Sequence, residues 1–149
     1  MGWIGELRGK VVGLDTAPLI YYIEENPTYM AVVDSLFDAL DRKEFTAVTS
    51  MVTLLEVLVQ PLRRGDTILA NRYRSLLLDT EGLTTVPLAQ EIAEEAARLR
   101  YLYRVKTADA VQMASALCEG ASFLVTNDSR LPAVPGLTIL VLDQLTEKR

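Results

Sequence analysis

Histidine is absent from the 149 residues, and cysteine occurs once, as Cys118. The first absence removes Ser–His–Asp and Cys–His catalysis, histidine zinc sites and histidine phosphotransfer together. The second excludes disulfide frameworks and thiolate zinc sites within one chain. Chemistry is left to carboxylates, hydroxyls, amides, Lys and Arg, and oxygen-only sites suit Mg²⁺ or Mn²⁺. Long hydrophobic runs are missing as well, since none reaches the roughly 18 residues of a membrane span. The opening MGWIGELRGK carries Glu6 and no cleavable apolar stretch, so no signal peptide is expected. Glu6 also takes the place of the Ser or Thr that myristoylation favours. The expected setting is the cytoplasm, with no membrane. An excess of positive charge is lacking too: the net charge is −5. That excludes a broad basic footprint for nucleic acid. Only local clusters remain, such as Arg63 with Arg64 and the run Arg98, Arg100, Arg104 and Lys106.

What is present is apolar. Hydrophobic residues make up 50% of the chain, near the top of the globular range and compatible with a partner-covered surface. The length suits one domain, residues 1–149, with a full core. The stretch VVGLDTAPLI, residues 11–20, organises the rest. An apolar run leads to Asp15, and a second run opens after Pro18. This reads as a buried parallel strand, a sharp turn and a helix start, with Thr16 as cap and Pro18 in the first turn. Asp15 then lies at the carboxyl end of a strand, where open α/β sheets place ligands. The plainer alternative is that Asp15 is only a helix cap.

Further along, Asn26-Pro27 signals the next helix, with Met30, Val33, Leu36, Phe37 and Leu40 at helical spacing. A strand is expected over 45–49, then a helix capped by Ser50 and running to about Val59, before Pro61 breaks the chain. Inside that helix Glu56 stands alone among Leu54, Leu55, Val57 and Leu58. An acid in such a run needs a partner or a polar cleft, and the cleft is preferred to an exposed helix edge. Asp66 caps a helix to about Leu78. Leu83 to Val86 forms a third strand, and a helix follows over 88–104. Thr107 caps the next helix, TADAVQMASALCEG, which Gly120 ends. Asp109 lies in its first turn, an ordinary place for an acid. A fourth strand over 122–126 delivers Asn127 and Asp128. A fifth covers 138–142, and 143–149 reads as a frayed tail.

Alternating strands and helices predict an α/β fold with a parallel sheet covered on both faces. Right-handed crossovers bring the strand ends to one edge. Asp15, Glu56, Asp109 and Asp128 can then converge, and four clustered carboxylates repel unless a cation intervenes. At this point the chain resembles the PIN-domain ribonucleases, and most of all the VapC-type toxins. The resemblance rests on Leu14-Asp15-Thr16, on Glu56 in TLLEVL, on residues 107–117 around Asp109, and on Thr126-Asn127-Asp128. Each motif is weak alone; their order over most of the chain is what is specific. The resemblance implies a PIN-like three-layer α/β/α sandwich with a central, mainly parallel sheet, and Asp15, Glu56, Asp109 and Asp128 as metal-binding catalytic acids. Thr16, Thr126 and Asn127 would support them. It further implies Mg²⁺ or Mn²⁺, hydrolysis of an RNA substrate, a homodimer and a cognate antitoxin. A phosphotransfer protein is disfavoured because Ala17 stands where a phosphatase needs its second acid. A PIN-like scaffold or RNA-binding module without catalysis is the main alternative, although it would have no need of all four acids.

Overall fold

The computed structural model describes residues 2–146. Gly2–Glu6 forms α1, a short helix with no periodic signal of its own, and Leu7 behind it is fully buried. Val11–Leu14 is β1, and Thr16–Ile23 is α2. Asp15, rather than Thr16, caps α2: its Oδ1 accepts the Thr16 N–H at 2.8 Å. The expected helix at Asn26-Pro27 starts later, since Met30–Asp41 forms α3. Asn26 instead turns the chain, its side chain accepting from the Thr28 N–H at 3.0 Å.

Thr46–Ser50 is β2 and Met51–Arg63 is α4, capped by Ser50 as expected. Pro61 does not break α4 but lies buried in its last turn. Its ring forgoes one backbone hydrogen bond to the preceding turn, and burial of the ring offsets that loss. Asp66 caps α5, Thr67–Asp79, through the Leu69 N–H. β3 is Leu83–Val86, as expected. α6, Gln90–Tyr103, starts two residues late because Pro87 to Ala89 stay outside the helix. α7 is Thr107–Cys118, with Lys106 rather than Thr107 at the cap position. β4 is Phe123–Thr126 and β5 is Thr138–Val141. The expected tail is in part a helix, α8, Leu142–Thr146, because Leu142 and Leu145 are buried in the core. Residues 147–149 of that tail lie outside the described residues.

The sheet order is β3-β2-β1-β4-β5 and every ladder in it is parallel. The order reverses between β1 and β4, which opens a crevice at their carboxyl ends. Strand residues alternate between two cores. Val12, Leu14, Ala47 and Val125 pack with α2, α3 and α5. Val48 and Leu124 pack with α6 and α7 on the other face. The fold is thus the three-layer α/β/α sandwich.

α7 closes tightly on β1 because both surfaces are small. A Cβ on Gly13 would lie 2.8 Å from the Ala116 Cβ and 3.1 Å from Leu124 Cδ1. Gly13→Ala is therefore expected to destabilise the protein by about 1–3 kcal/mol, since the Ala116 Cβ cannot move without shifting α7. Chemical denaturation measures it, and an unchanged midpoint would contradict the close packing of α7.

Candidate active site

Four acids reach one edge of the sheet by four routes. Asp15 follows β1 and Asp128 follows β4, on either side of the reversal in strand order. Glu56 projects from the second turn of α4, which follows β2. Asp109 stands in the first turn of α7, which follows α6 rather than a strand. The reversal between those two helices is made at Arg104, whose φ of 60° is left-handed. All four line one open cleft of about 680 Å³, together with Thr16, Thr126, Asn127 and Arg130.

The acids are not equally committed. Asp15 is held on both oxygens: Oδ1 by the Thr16 N–H, and Oδ2 by the Thr126 hydroxyl at 2.7 Å. Thr126 is fully buried, and its oxygen also accepts the Asp128 N–H at 3.1 Å. One hydroxyl thus ties the ends of β1 and β4 together. Glu56 is on the exposed face of its helix, yet it reaches the cleft and accepts the Thr16 hydroxyl at 2.7 Å. The cleft and the exposed edge, set against each other in the sequence, are both true of it.

Asp109 accepts no hydrogen bond among the described residues. Burial pushes its carboxyl above the usual range, and the charges of Asp15, Asp128 and Glu56 push it further. Lys106 offsets this only in part. Asp128 goes the other way. Arg130 lies across it, with Nε 3.0 Å from Oδ1 and Nη2 3.3 Å from Oδ2. The Arg130 side chain, and after it the Arg130 N–H, hold the Asp128 carboxyl below its usual range.

Asn127 does structural work. Its amide donates to the Tyr21 and Tyr29 hydroxyls, both at 3.0 Å, and its oxygen accepts the Asp143 N–H. The two tyrosine rings stack at 4.2 Å. This clasp anchors α8 beside the cleft. Sequence reasoning did not single out Arg130 at the cleft or the buried Gln112 behind it. Arg130, two residues from Asp128, was visible as a short-range ion pair. Gln112 had a fainter signal, as a long amide within a stripe of small apolar residues.

The donor set is all oxygen and leaves Asp109 only partly compensated, which fits Mg²⁺ or Mn²⁺ in kind. The fit is incomplete as the side chains stand: among the described residues, no three acids are drawn together closely enough to cage an ion. Of the four, Asp128 is the one engaged by a cation, Arg130. Arg130→Ala is accordingly expected to tighten Mn²⁺ binding, by freeing Asp128 and removing a positive charge from the rim. Calorimetric titration reads this directly, and weaker binding in the variant would contradict it.

A wholly parallel α/β sandwich with an acid-lined cleft at its switch point defines the class to which the chain conforms. The PIN domain model matches residues 12–137, and the chain belongs to the PIN domain family. No curated protein sequence matches it. Several solved structures share its fold. The VapBC2 complex from Rickettsia felis, bound to a DNA fragment from its promoter, is 18% identical with a TM-score of 0.68. The alignment covers 87% of this chain and 96% of that one. A toxin–antitoxin complex from Klebsiella pneumoniae is 23% identical with a TM-score of 0.64, covering 86% and 95%. A Mycobacterium tuberculosis VapC toxin that cleaves the sarcin-ricin loop is 15% identical with a TM-score of 0.62, covering 76% and 86%. Among the described residues no helix is long and apolar enough to cross a membrane.

Proposed function

We propose that the chain is a metal-dependent endoribonuclease of VapC type, the toxin of a toxin–antitoxin pair, acting as a single PIN-like domain over residues 1–149. The observation that carries this reading is the meeting of Asp15, Glu56, Asp109 and Asp128 in one cleft at the switch point of the sheet. A bound Mg²⁺ or Mn²⁺ would supply a water of lowered pKa and positive charge opposite the phosphoryl oxygens. Asp15, Glu56 and Asp109 are the residues that would hold it, and Asp128 joins them once it leaves Arg130.

The chain's own groups account for the rest. Thr16 and Thr126 fix the carboxylates of Glu56 and Asp15. Asp109 accepts no hydrogen bond among the described residues, so its carboxylate oxygens are open to the cation. Arg130, exposed at the rim, offers a planar cation to an RNA phosphate. Such a local contact matters in a chain whose net charge is −5.

The proposed homodimer and antitoxin find support on α4. Met51, Leu55, Val59 and Leu62 are all exposed and follow one another at helical spacing. A ridge of this kind marks an interaction surface. The Klebsiella structure is itself a toxin–antitoxin complex. Light scattering of the purified chain tests the dimer, and a monomer at tens of micromolar counts against it.

A second reading, a PIN-like scaffold or RNA-binding module without catalysis, is favoured by the diversion of Asp128 to Arg130 and by the spacing of the acids, no three of which cage an ion among the described residues. Incubation of the purified chain with a labelled RNA pool decides between them. Fragments in millimolar Mg²⁺ or Mn²⁺ support the nuclease. Binding of RNA without cleavage in either ion supports the scaffold.

A further inference from the structure

Glu56 stands on an exposed helix face, so something must hold its carboxylate in the cleft. The Thr16 hydroxyl does so directly. A hydroxyl has one proton and can rotate, so its donation to Glu56 depends on what else Thr16 meets. What it meets is Gln112, whose Nε2 lies 3.4 Å from Thr16 Oγ1. The same nitrogen donates to Thr53 Oγ1. An amide nitrogen can only donate, so Thr16 and Thr53 are both acceptors towards it.

The remaining protons then have single places to go. Thr49 donates to the Leu14 carbonyl at 2.7 Å. Its oxygen lies 2.8 Å from that of Thr53, so Thr53 must donate to Thr49. The series runs outward from Gln112 along two branches: Thr53 and Thr49 pass the orientation back to β1, and Thr16 passes it out to Glu56. Thr49, Thr53 and Gln112 are buried at 2%, 0% and 4% exposure. Burying these groups would be costly if any one were unsatisfied.

The series also joins the elements that carry the acids. Gln112 is three residues after Asp109 on α7, hence on the same helix face. Thr16 follows Asp15 at the start of α2, and Thr53 precedes Glu56 by three residues on α4. We infer that Gln112 is a positioning residue for the acidic cleft, acting through Thr16 on Glu56 and locking α2, α4 and α7 in register. The inference rests on the metal-site reading given above and adds a residue to it. An apolar residue at 112 would fill the helix–sheet interface equally well and would leave the Thr16 proton free to turn elsewhere.

The test is Mn²⁺ titration by calorimetry of the parent, Gln112→Met, Thr16→Val and the double variant, with melting in EDTA recorded for each. Gln112→Met is expected to raise the Mn²⁺ Kd by roughly 3–10-fold, below or at the lower end of the effect of a direct partner of a metal ligand. Because Gln112 acts through Thr16, the double variant should bind no more weakly than Thr16→Val alone. A purely structural role would lower the melting temperature in EDTA and leave the Kd unchanged, which overturns the inference. Additive losses in the double variant also overturn it. If Gln112→Met does not fold, Thr53→Val, which removes the second acceptor of the same amide, should give the same weakening, and an unchanged Kd there overturns the inference. Absence of Mn²⁺ binding by the parent overturns the inference and the metal-site reading together, whereas parental binding with an unaltered variant overturns the inference alone.

Discussion

Asp15→Ala and Asp109→Asn are each expected to reduce RNA cleavage by about a hundredfold or more, while the protein stays folded. The reduction should exceed the ~10–100-fold that loss of an outer partner of a metal ligand brings, because these are proposed as the ligands themselves. The two variants differ in what they do to the metal-free protein. Asp15 accepts two hydrogen bonds, so its removal strands the buried Thr126 hydroxyl and lowers stability somewhat. Asp109 accepts none among the described residues and is raised in pKa by burial and by its acidic neighbours. A raised folded pKa means that the native state binds more protons than the unfolded chain. Stability from this group therefore falls as pH rises from the ordinary carboxylate range through the raised value, and it stays low above it. At neutral pH Asp109→Asn removes that strain, so the metal-free variant should melt at or above the parent temperature. Cleavage assays paired with thermal melts in EDTA across pH 4 to 8 check both halves. A parent whose stability climbs with pH, relative to Asp109→Asn, would contradict the assignment of strain to Asp109.

The second large effect is stabilisation by the cation. Mn²⁺ bound to the folded state alone adds about 2.7 kcal/mol at 100 times its Kd. For a chain of this length that corresponds to roughly 5–10 °C in Tm. Asp15→Asn and Asp109→Asn should lose most of that response, because each removes one charged ligand. The response of Arg130→Ala should be kept or enlarged. A parent Tm that does not move in millimolar Mn²⁺ would mean that these acids form no metal site, whatever their proximity.

The parts of the fold that rest on local chemistry were legible before the structure. Ser50 and Asp66 cap the helices they were expected to cap, because a short polar side chain before an apolar run has few other uses. The strand Leu83–Val86 stands where its apolar, β-branched run placed it. The α/β class followed from the alternation of strands and helices, and the family from the order of weak motifs taken together. Other features depended on contacts that no local pattern carries. Pro61 continues α4, and α8 forms at the end, because burial against the core outweighs the local signal. Asn26-Pro27 makes a turn, because an Asn side chain that can cap a helix can equally close a tight turn.

The cleft shows the same division. Asp15 and Asp128 were legible as acids ending buried strands. The place of Asp109 depended on the reversal at Arg104 and on how closely α7 packs against Gly13. The division of labour among the acids was out of reach, since Thr126, Thr16 and Arg130 each choose one carboxylate only once the chain is folded. Gln112 was hidden for a related reason. Its role lies in where two protons point, and only the buried hydroxyls of Thr49 and Thr53 decide that.

The most direct measurement is RNA cleavage by the EDTA-stripped chain when Mn²⁺ is restored, with Asp109→Asn run beside it. Silent stripped protein, fragments on adding Mn²⁺ to the parent and none from the variant are the result predicted here. Cleavage that persists in excess EDTA, or that is equal in parent and variant, would contradict a metal-dependent nuclease built on these four acids.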